Sequence, residues 1–222
     1  MMQSNPRTFA LQQFALVVAV LAWSALLLQL WLTLAIVVNQ GRGIAMGLVV
    51  YFGFFTVLTN LLAALVLSTY AAGLRFPRQR WLTAPVAQTC TAAAITIVGL
   101  VYFFILRHLW KPQGAQFLAD AALHYAVPAL TVVFWAFAVP RRAVAWRDAP
   151  WLFVYPLVYL VYVFVRGEIF GLYPYEFVDV IKLGYPAALL NAAGLMLAYA
   201  LVAGLFCGLK AIPRQAVERT TL

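Results

Sequence analysis

Charged residues are scarce in this chain. Of its 222 residues, 15 are Lys or Arg and six are Asp or Glu, so that charged residues make up only 9% of the sequence. Hydrophobic residues make up 66%, and the mean hydropathy of +0.94 lies far above the range of soluble globular domains. The composition excludes a soluble domain and predicts a protein that lies mainly in a membrane.

Histidine and cysteine are also scarce, with two residues of each. His108 falls in a predicted loop and His124 in a predicted helix, so no histidine pair has the spacing of metal ligands. The chain lacks a Gly-rich phosphate loop and a Gly-x-Ser-x-Gly elbow. We therefore predict no metal, no haem, no other cofactor and no ordinary serine hydrolase, and a structural disulfide between Cys90 and Cys207 is not expected.

Six long apolar runs fill the chain almost from end to end. A helix needs about 20 apolar residues to cross the hydrocarbon layer, and spans are predicted at 13–38, 46–73, 82–106, 117–139, 150–170 and 184–209. The first run is longer than a signal-peptide core, so it is expected to be retained. The sequence therefore predicts an all-α polytopic membrane protein, with residues 1–222 forming a single bundle of six transmembrane helices.

The distribution of basic residues predicts the orientation of this bundle. With the N-terminus inside, ten of the 15 are cytoplasmic: Arg7, Arg75, Arg78, Arg80, Arg141, Arg142, Arg147, Lys210, Arg214 and Arg219. The other five are Arg42, Arg107, Lys111, Arg166 and Lys182. Both termini are thus predicted to be cytoplasmic. The net charge of +9 then reflects topology and attraction to anionic lipids, and nucleic acid is not a predicted partner.

Polar residues inside the spans gather toward the outer side. Thr56, Thr59 and Asn60 of span two lie roughly 14–20 Å below the outer surface at 1.5 Å per residue, and Thr56 and Asn60 share a helix face. Asp120 and His124 of span four lie roughly 5–10 Å deep, again on one face, so that Asp120 can orient His124. Polar side chains at such depths are candidates for function, although they also serve as contacts between helices.

Polar residues at helical spacing form a stripe along span five, and we expect this stripe to face protein or a cavity. Its members are Tyr155, Tyr159, Tyr162 and Arg166, and span six adds Asn191 and span one Gln29 at similar depths. The stripe can stabilise developing negative charge or hold a substrate carboxylate. The alternative for Arg166 is that it reaches the lipid head groups. Trp110, Trp146 and Trp151 are expected to form an interfacial belt.

These residue types favour nucleophilic catalysis by a hydroxyl group. A threonine attacks well only when a base takes its proton, and a histidine held by a carboxylate is a common base. Thr56, His124 and Asp120 can fill these roles if spans two and four are neighbours, which the sequence leaves open. The alternative for a membrane threonine is a bond to its own helix backbone, as expected of Thr33, Thr89, Thr91 and Thr96, and His124 can equally be a structural histidine.

Three segments, FFTVLTN, LADAALHYAVP and RGEIFGLYPYEFVD, resemble bacterial six-span relatives of the androgen-induced and androgen-dependent membrane proteins of animals. The resemblance implies a threonine hydrolase that cleaves fatty acid esters of hydroxy fatty acids. Thr56 matches the family's threonine, His124, before Pro128, matches its histidine, and Asp179 matches the acid of its aromatic-Tyr-Pro-Phe loop. The chain departs from the family in carrying Thr59, which stays a second possible nucleophile.

The leading interpretation is an intramembrane lipid-ester hydrolase with Thr56 as nucleophile and His124 as base. Asp120, Thr59, Asn60 and Arg166 are predicted to support them, and the predicted substrate-binding residues are Tyr155, Tyr159, Tyr162, Asp179 and Asn191. The predicted partners are membrane lipids and a lipid ester, and the expected location is the bacterial cytoplasmic membrane. The alternatives are an acyltransferase that uses the same residues, a small-anion transporter or channel, and a structural membrane protein.

Reporter fusions test the predicted orientation. Fusions after Arg80, Arg147 and Leu222 should report the cytoplasm, and fusions near Gly114 and Glu176 should report the opposite side, because the basic loops stay inside. A cytoplasmic signal at Gly114 would contradict the orientation.

Overall fold

The fold is built from helices alone in the residues that the computed structural model describes, which are 6–73, 81–109 and 111–211. The helices are α1 (Pro6–Asn39), α2 (Gly43–Gly53), α3 (Phe55–Ala71), α4 (Pro85–Phe104), α5 (Gly114–Ala121), α6 (Val127–Ala138), α7 (Ala149–Leu152), α8 (Val154–Phe170) and α9 (Val180–Ala211). A π turn (Ala122–Ala126) joins α5 to α6, and short 3₁₀ turns occur at Leu106–His108, Trp146–Asp148 and Glu176–Val178.

The described residues hold five or six segments that are long and apolar enough to cross a membrane. Five segments are long and apolar enough to span a bilayer: Pro6–Asn39, Pro85–His108, Gly114–Ala138, Trp146–Phe170 and Val180–Ala211. The pair α2 and α3, which meet at an angle of 78°, makes a sixth when the two helices are counted as one span. The all-α, multi-pass prediction is therefore confirmed, and predicted span two contains a break that its sequence did not reveal.

The predicted orientation falls partly on residues outside the described ranges. Arg75, Arg78, Arg80, Arg214 and Arg219 lie there, as does Trp110 of the predicted aromatic belt. The cytoplasmic placement of both termini therefore stays a prediction.

Small side chains allow α4 to run through the middle of the bundle. Ala92, Ala93 and Ala94 are fully buried, and α4 contacts α3, α6 and α9. On the other side, α3 packs along α1 and also contacts the π turn. Helices approach closely in a membrane where their facing residues are small. This packing makes spans two and four neighbours, which is the arrangement that the predicted chemistry requires.

The break at Phe54 separates backbone groups that a continuous helix would pair. In an unbroken helix the carbonyls of Phe52 and Gly53 would accept hydrogen bonds from the N–H groups of Thr56 and Val57. Here Phe54 is extended, with φ −80° and ψ 129°. An unpaired backbone group inside hydrocarbon costs several kcal/mol, so other partners are needed.

The polar stripe of span five supplies those partners on the α2 side. The Tyr159 hydroxyl donates to Gly53 O at 3.0 Å, and the Tyr162 hydroxyl donates to Phe52 O at 3.1 Å. Arg166 is only 5% exposed; its Nε and Nη2 donate to Val49 O at 3.1 and 2.7 Å, and its Nη1 donates to Leu172 O at 2.6 Å. The stripe therefore packs against span two.

Glycine at position 53 makes room for this guanidinium group. A Cβ atom built on Gly53 would lie 2.7 Å from Arg166 Cζ, closer than real Cβ contacts. The close approach places Arg166 against the last turn of α2. Arg166 thus joins α2, α8 and the loop that follows α8.

Replacing Arg166 tests its part in holding the break. Arg166→Met should leave the Val49 and Leu172 carbonyls without these donors, and at about 1–3 kcal/mol per unsatisfied buried group the protein should lose roughly 2–5 kcal/mol of stability. Tyr162→Phe removes one bond at a partly exposed position and should cost about 1 kcal/mol. Thermal unfolding in detergent, followed by reaction of the two buried cysteines with a thiol dye, measures both losses. Equal, small losses in the two variants would contradict this role of Arg166.

Candidate active site

Thr56 lies in the first turn of α3, directly after the break. Its side chain is buried, with the residue 8% exposed. Thr56 Oγ1 lies 3.4 Å from His124 Nε2 and 3.5 Å from the Tyr175 hydroxyl oxygen. Its backbone N–H donates to the same Tyr175 oxygen at 3.3 Å. The threonine hydroxyl thus faces a potential base.

Other threonines of the bundle show why the break matters. The hydroxyls of Thr69, Thr89, Thr91 and Thr96 each donate to the carbonyl four residues earlier, at 2.7 to 2.8 Å. This confirms the backbone bonding expected of Thr89, Thr91 and Thr96, whereas Thr33 Oγ1 accepts a bond from Gln29. For Thr56 the carbonyl four residues earlier is that of Phe52, on the other side of the break. The break leaves the Thr56 hydroxyl available to His124.

His124 is held by span four itself. Its Nδ1 lies 3.0 Å from the Asp120 carbonyl oxygen and 3.2 Å from Asp120 Oδ1, and its side chain is 14% exposed. Both acceptors favour the tautomer with a proton on Nδ1, which leaves Nε2 as an acceptor facing Thr56. The other carboxylate oxygen of Asp120 accepts a hydrogen bond from Tyr102, whose ring stacks on the His124 ring at 4.0 Å.

Local departures from α-helical geometry give His124 this position. The π turn is wider than an α-helix, and its Val127 N–H bonds to Ala122 O, five residues earlier. Pro128 has no N–H to donate to the His124 carbonyl. That carbonyl lies against Gly99 of α4, where an added Cβ would be 3.3 Å away. Proline and glycine together accommodate the wider turn.

Asn60 connects the helix of the nucleophile to the helix of the base. It is fully buried, and its Nδ2 donates to Thr56 O at 2.9 Å and to Leu123 O at 3.1 Å. Leu123 directly precedes His124. Asn60 therefore fixes the first turn of α3 relative to the π turn, and its supporting role in catalysis stays a prediction.

Thr59 lies in a different environment from Thr56. It is fully buried, and its Oγ1 is 2.8 Å from the Tyr155 hydroxyl. The contact with His124 belongs to Thr56. Of the two candidate nucleophiles that the sequence left open, the geometry favours Thr56.

Thr56 lies in the wall of two cavities. The smaller, about 80 Å³, is largely apolar and extends between α4, α8 and α9 past Ile97, Tyr159 and Met196. The larger, about 370 Å³, is lined by Asp120 and His124 among other residues. Thr56, Tyr175 and Leu106 line both cavities. Thr56 therefore borders a cavity on each of two sides.

The remaining predicted site residues support the loop that carries Tyr175. Asp179 Oδ1 accepts hydrogen bonds from the N–H groups of Ile181 and Lys182 at the start of α9. Asn191 is exposed, and its Nδ2 donates to Phe177 O at 2.9 Å. Neither residue lines the two cavities at Thr56, so their substrate-binding role stays a prediction.

Two tyrosines at the centre of the site were absent from the predicted set. Tyr102 lies in the run LVYFF, where an aromatic residue of a hydrophobic span gives no signal of function. Tyr175 lies in the LYPYEF segment, whose density of aromatic residues pointed to the loop but not to this side chain. Within the described ranges, no three His, Cys, Asp or Glu side chains group as metal ligands would.

Comparisons with models of known protein families, with characterised proteins and with solved structures found no match to this chain. The resemblance to the androgen-induced and androgen-dependent membrane proteins therefore stays a prediction. The contacts among Thr56, His124, Asp120 and Tyr175 carry the functional argument.

Proposed function

We propose that this protein is an intramembrane lipid-ester hydrolase in which Thr56 is the nucleophile and His124 is the base. The observation that carries the proposal is the contact of Thr56 Oγ1 with His124 Nε2 at 3.4 Å, with Asp120 bonded to the far side of the same imidazole. Nucleophile, base and orienting carboxylate in this order are the parts that hydroxyl-based acyl transfer needs.

The reaction follows from these positions. His124 Nε2 takes the Thr56 proton while Oγ1 bonds to the ester carbonyl carbon, and the carbonyl π electrons move to its oxygen. When the carbonyl forms again, the bond to the alcohol oxygen breaks and His124 returns the proton to that oxygen. Water then attacks the acyl-threonine by the same route and releases the fatty acid. Asp120 is a positioning residue, since it holds the histidine tautomer and stabilises the imidazolium.

The setting of the site supports a lipid substrate. The cavities at Thr56 are lined mainly by apolar residues inside a multi-pass membrane bundle, so a substrate can enter sideways from the bilayer. The described residues that line these cavities include neither Lys nor Arg. We therefore propose a fatty-acyl ester whose charged end, where it has one, stays at the aqueous boundary. Fatty acid esters of hydroxy fatty acids belong to this class, and the proposed location is the cell membrane.

Arg166 bears on the transporter alternative. That interpretation needs its guanidinium as the binding charge for a small anion. Three of its N–H groups already donate to the Val49 and Leu172 carbonyls. An anion would have to displace these bonds. The geometry favours a structural role for Arg166 and leaves the polar centre to Thr56 and His124.

Replacing each threonine tests the nucleophile. In purified protein, Thr56→Ala should abolish labelling by a fluorophosphonate probe and turnover of a fatty-acyl ester, because no hydroxyl is left opposite His124. Thr59→Ala is the matched control, since it loses a buried hydroxyl on the same helix that contacts Tyr155, and it should only weaken both signals. Loss of activity in Thr59→Ala with activity kept in Thr56→Ala would reverse the assignment.

Added lipid alcohols distinguish hydrolysis from acyl transfer. If labelled acyl groups pass to the alcohol and not to water, the protein is an acyltransferase and not a hydrolase. The role of Thr56 as nucleophile would then be unchanged.

Replacing the base and its carboxylate tests the proton path. His124→Ala should lower the rate by roughly 10²–10⁴-fold, the usual contribution of general acid–base catalysis. Asp120→Asn should lower it less, because the Asp120 carbonyl still holds Nδ1. Equal and complete losses in the two variants would instead indicate a joint structural role.

A further inference from the structure

The Tyr175 hydroxyl lies beside Thr56, and no step of the proposed reaction involves it. Its oxygen lies 3.3 Å from the Thr56 amide nitrogen and 3.5 Å from Thr56 Oγ1. The tyrosine also lines both cavities at Thr56. A group at this point lies next to the space that a carbonyl attacked by Thr56 would occupy.

Contacts on three sides fix the ring of Tyr175 and its loop. The ring stacks on Phe177 at 5.0 Å and meets Phe54 edge-on at 5.7 Å. The loop is bonded to α8 through Arg166 and Leu172 O, and to α9 through Asn191 and Phe177 O. The hydroxyl is therefore placed before any substrate arrives.

Attack on an ester creates negative charge on the carbonyl oxygen. Donors placed where that charge develops commonly contribute most to catalysis, provided that they lie about 2.7–3.1 Å from the oxyanion. The Thr56 N–H and the Tyr175 hydroxyl both lie next to Thr56 Oγ1, with the Tyr175 oxygen 3.5 Å from it. Burial raises the pKa of the Tyr175 phenol above its usual value. The hydroxyl therefore keeps its proton at neutral pH and can donate it to a hydrogen bond.

We propose that Tyr175 is a catalytic residue whose hydroxyl donates a hydrogen bond to the ester carbonyl oxygen and to the oxyanion that forms from it. The inference rests on the proposed hydrolase function. In the free protein the Tyr175 oxygen accepts a hydrogen bond from the Thr56 N–H. In the complex the ester carbonyl oxygen accepts hydrogen bonds from the Thr56 N–H and from the Tyr175 hydroxyl. Tyr175 keeps its proton throughout, and the Thr56 proton travels through His124.

Tyr175→Phe, compared with Tyr173→Phe, tests this role. The control lies two residues away in the same loop, and its hydroxyl donates to exposed Glu168. Tyr175→Phe should lower kcat by roughly 10²–10³-fold, as the loss of an oxyanion donor does, with KM changed less than about threefold. Tyr173→Phe should stay within about twofold of wild type. The kcat and KM of both variants are measured on one fatty-acyl ester in detergent, and Thr56→Ala is assayed in parallel.

Different outcomes separate the two proposals. A wild-type kcat in Tyr175→Phe, or a change in KM alone, would overturn the donor role while Thr56→Ala stays inactive. Full activity in Thr56→Ala would overturn the hydrolase mechanism itself.

A fluorinated tyrosine at position 175 covers the case in which Tyr175→Phe unfolds. This residue keeps the ring and hydroxyl but ionises at lower pH, so activity should be lost at a lower alkaline pH than in the wild type. An unchanged pH–rate profile would overturn the proposal.

Discussion

The structure of the site depends on the backbone hydrogen bonds that are missing at the break in span two. A continuous span two would pair the Phe52 carbonyl with the Thr56 N–H. The break at Phe54 removes this bond, and two tyrosines replace it: Tyr162 donates to Phe52 O, and Tyr175 accepts the Thr56 N–H. Hydrocarbon offers no water to either group, so the break persists only where protein supplies both partners.

The break has a chemical consequence at Thr56. Threonines within continuous helices, such as Thr89 and Thr91, donate to their own backbone. Thr56 has lost the carbonyl that would receive its hydroxyl, and His124 lies within reach instead. The same local change releases the Thr56 amide from the backbone of α2, and its N–H donates to the Tyr175 hydroxyl oxygen. One irregularity thus sets the partners of both the hydroxyl and the amide of Thr56.

A second irregularity faces the first across the bundle. The π turn around His124 places the imidazole over Asp120 and under Tyr102, and Gly99 and Pro128 make room for its wider backbone. Asn60 bonds to the backbone on both sides, at Thr56 and Leu123. Two irregular segments on neighbouring helices are therefore held together by one side chain. Rigid support of this kind is what the proposed catalytic pair needs to keep its geometry.

Several of these features could be predicted from the sequence because they depend on neighbouring residues. Apolar runs predicted the spans, and spacing of four residues predicted that Asp120 and His124 share a face, as the distance of 3.2 Å confirms. Helical spacing also predicted the stripe that ends at Arg166. Its contact with the α2 carbonyls could not be predicted, since Gly53 and Phe54 carry no proline or polar signal of a break.

Only the tertiary structure decided which groups meet. The sequence by itself determined an all-helical membrane chain, a set of polar residues inside its spans and one histidine held by its own helix. It left Thr59 as a second possible nucleophile beside Thr56, and it did not point to Tyr102 or Tyr175. The physical reason is separation along the chain: Thr56 meets a histidine 68 residues away and a tyrosine 119 residues away. Local periodicity constrains residues within a few turns of one helix, whereas contacts between helices depend on packing and on how each break satisfies its backbone.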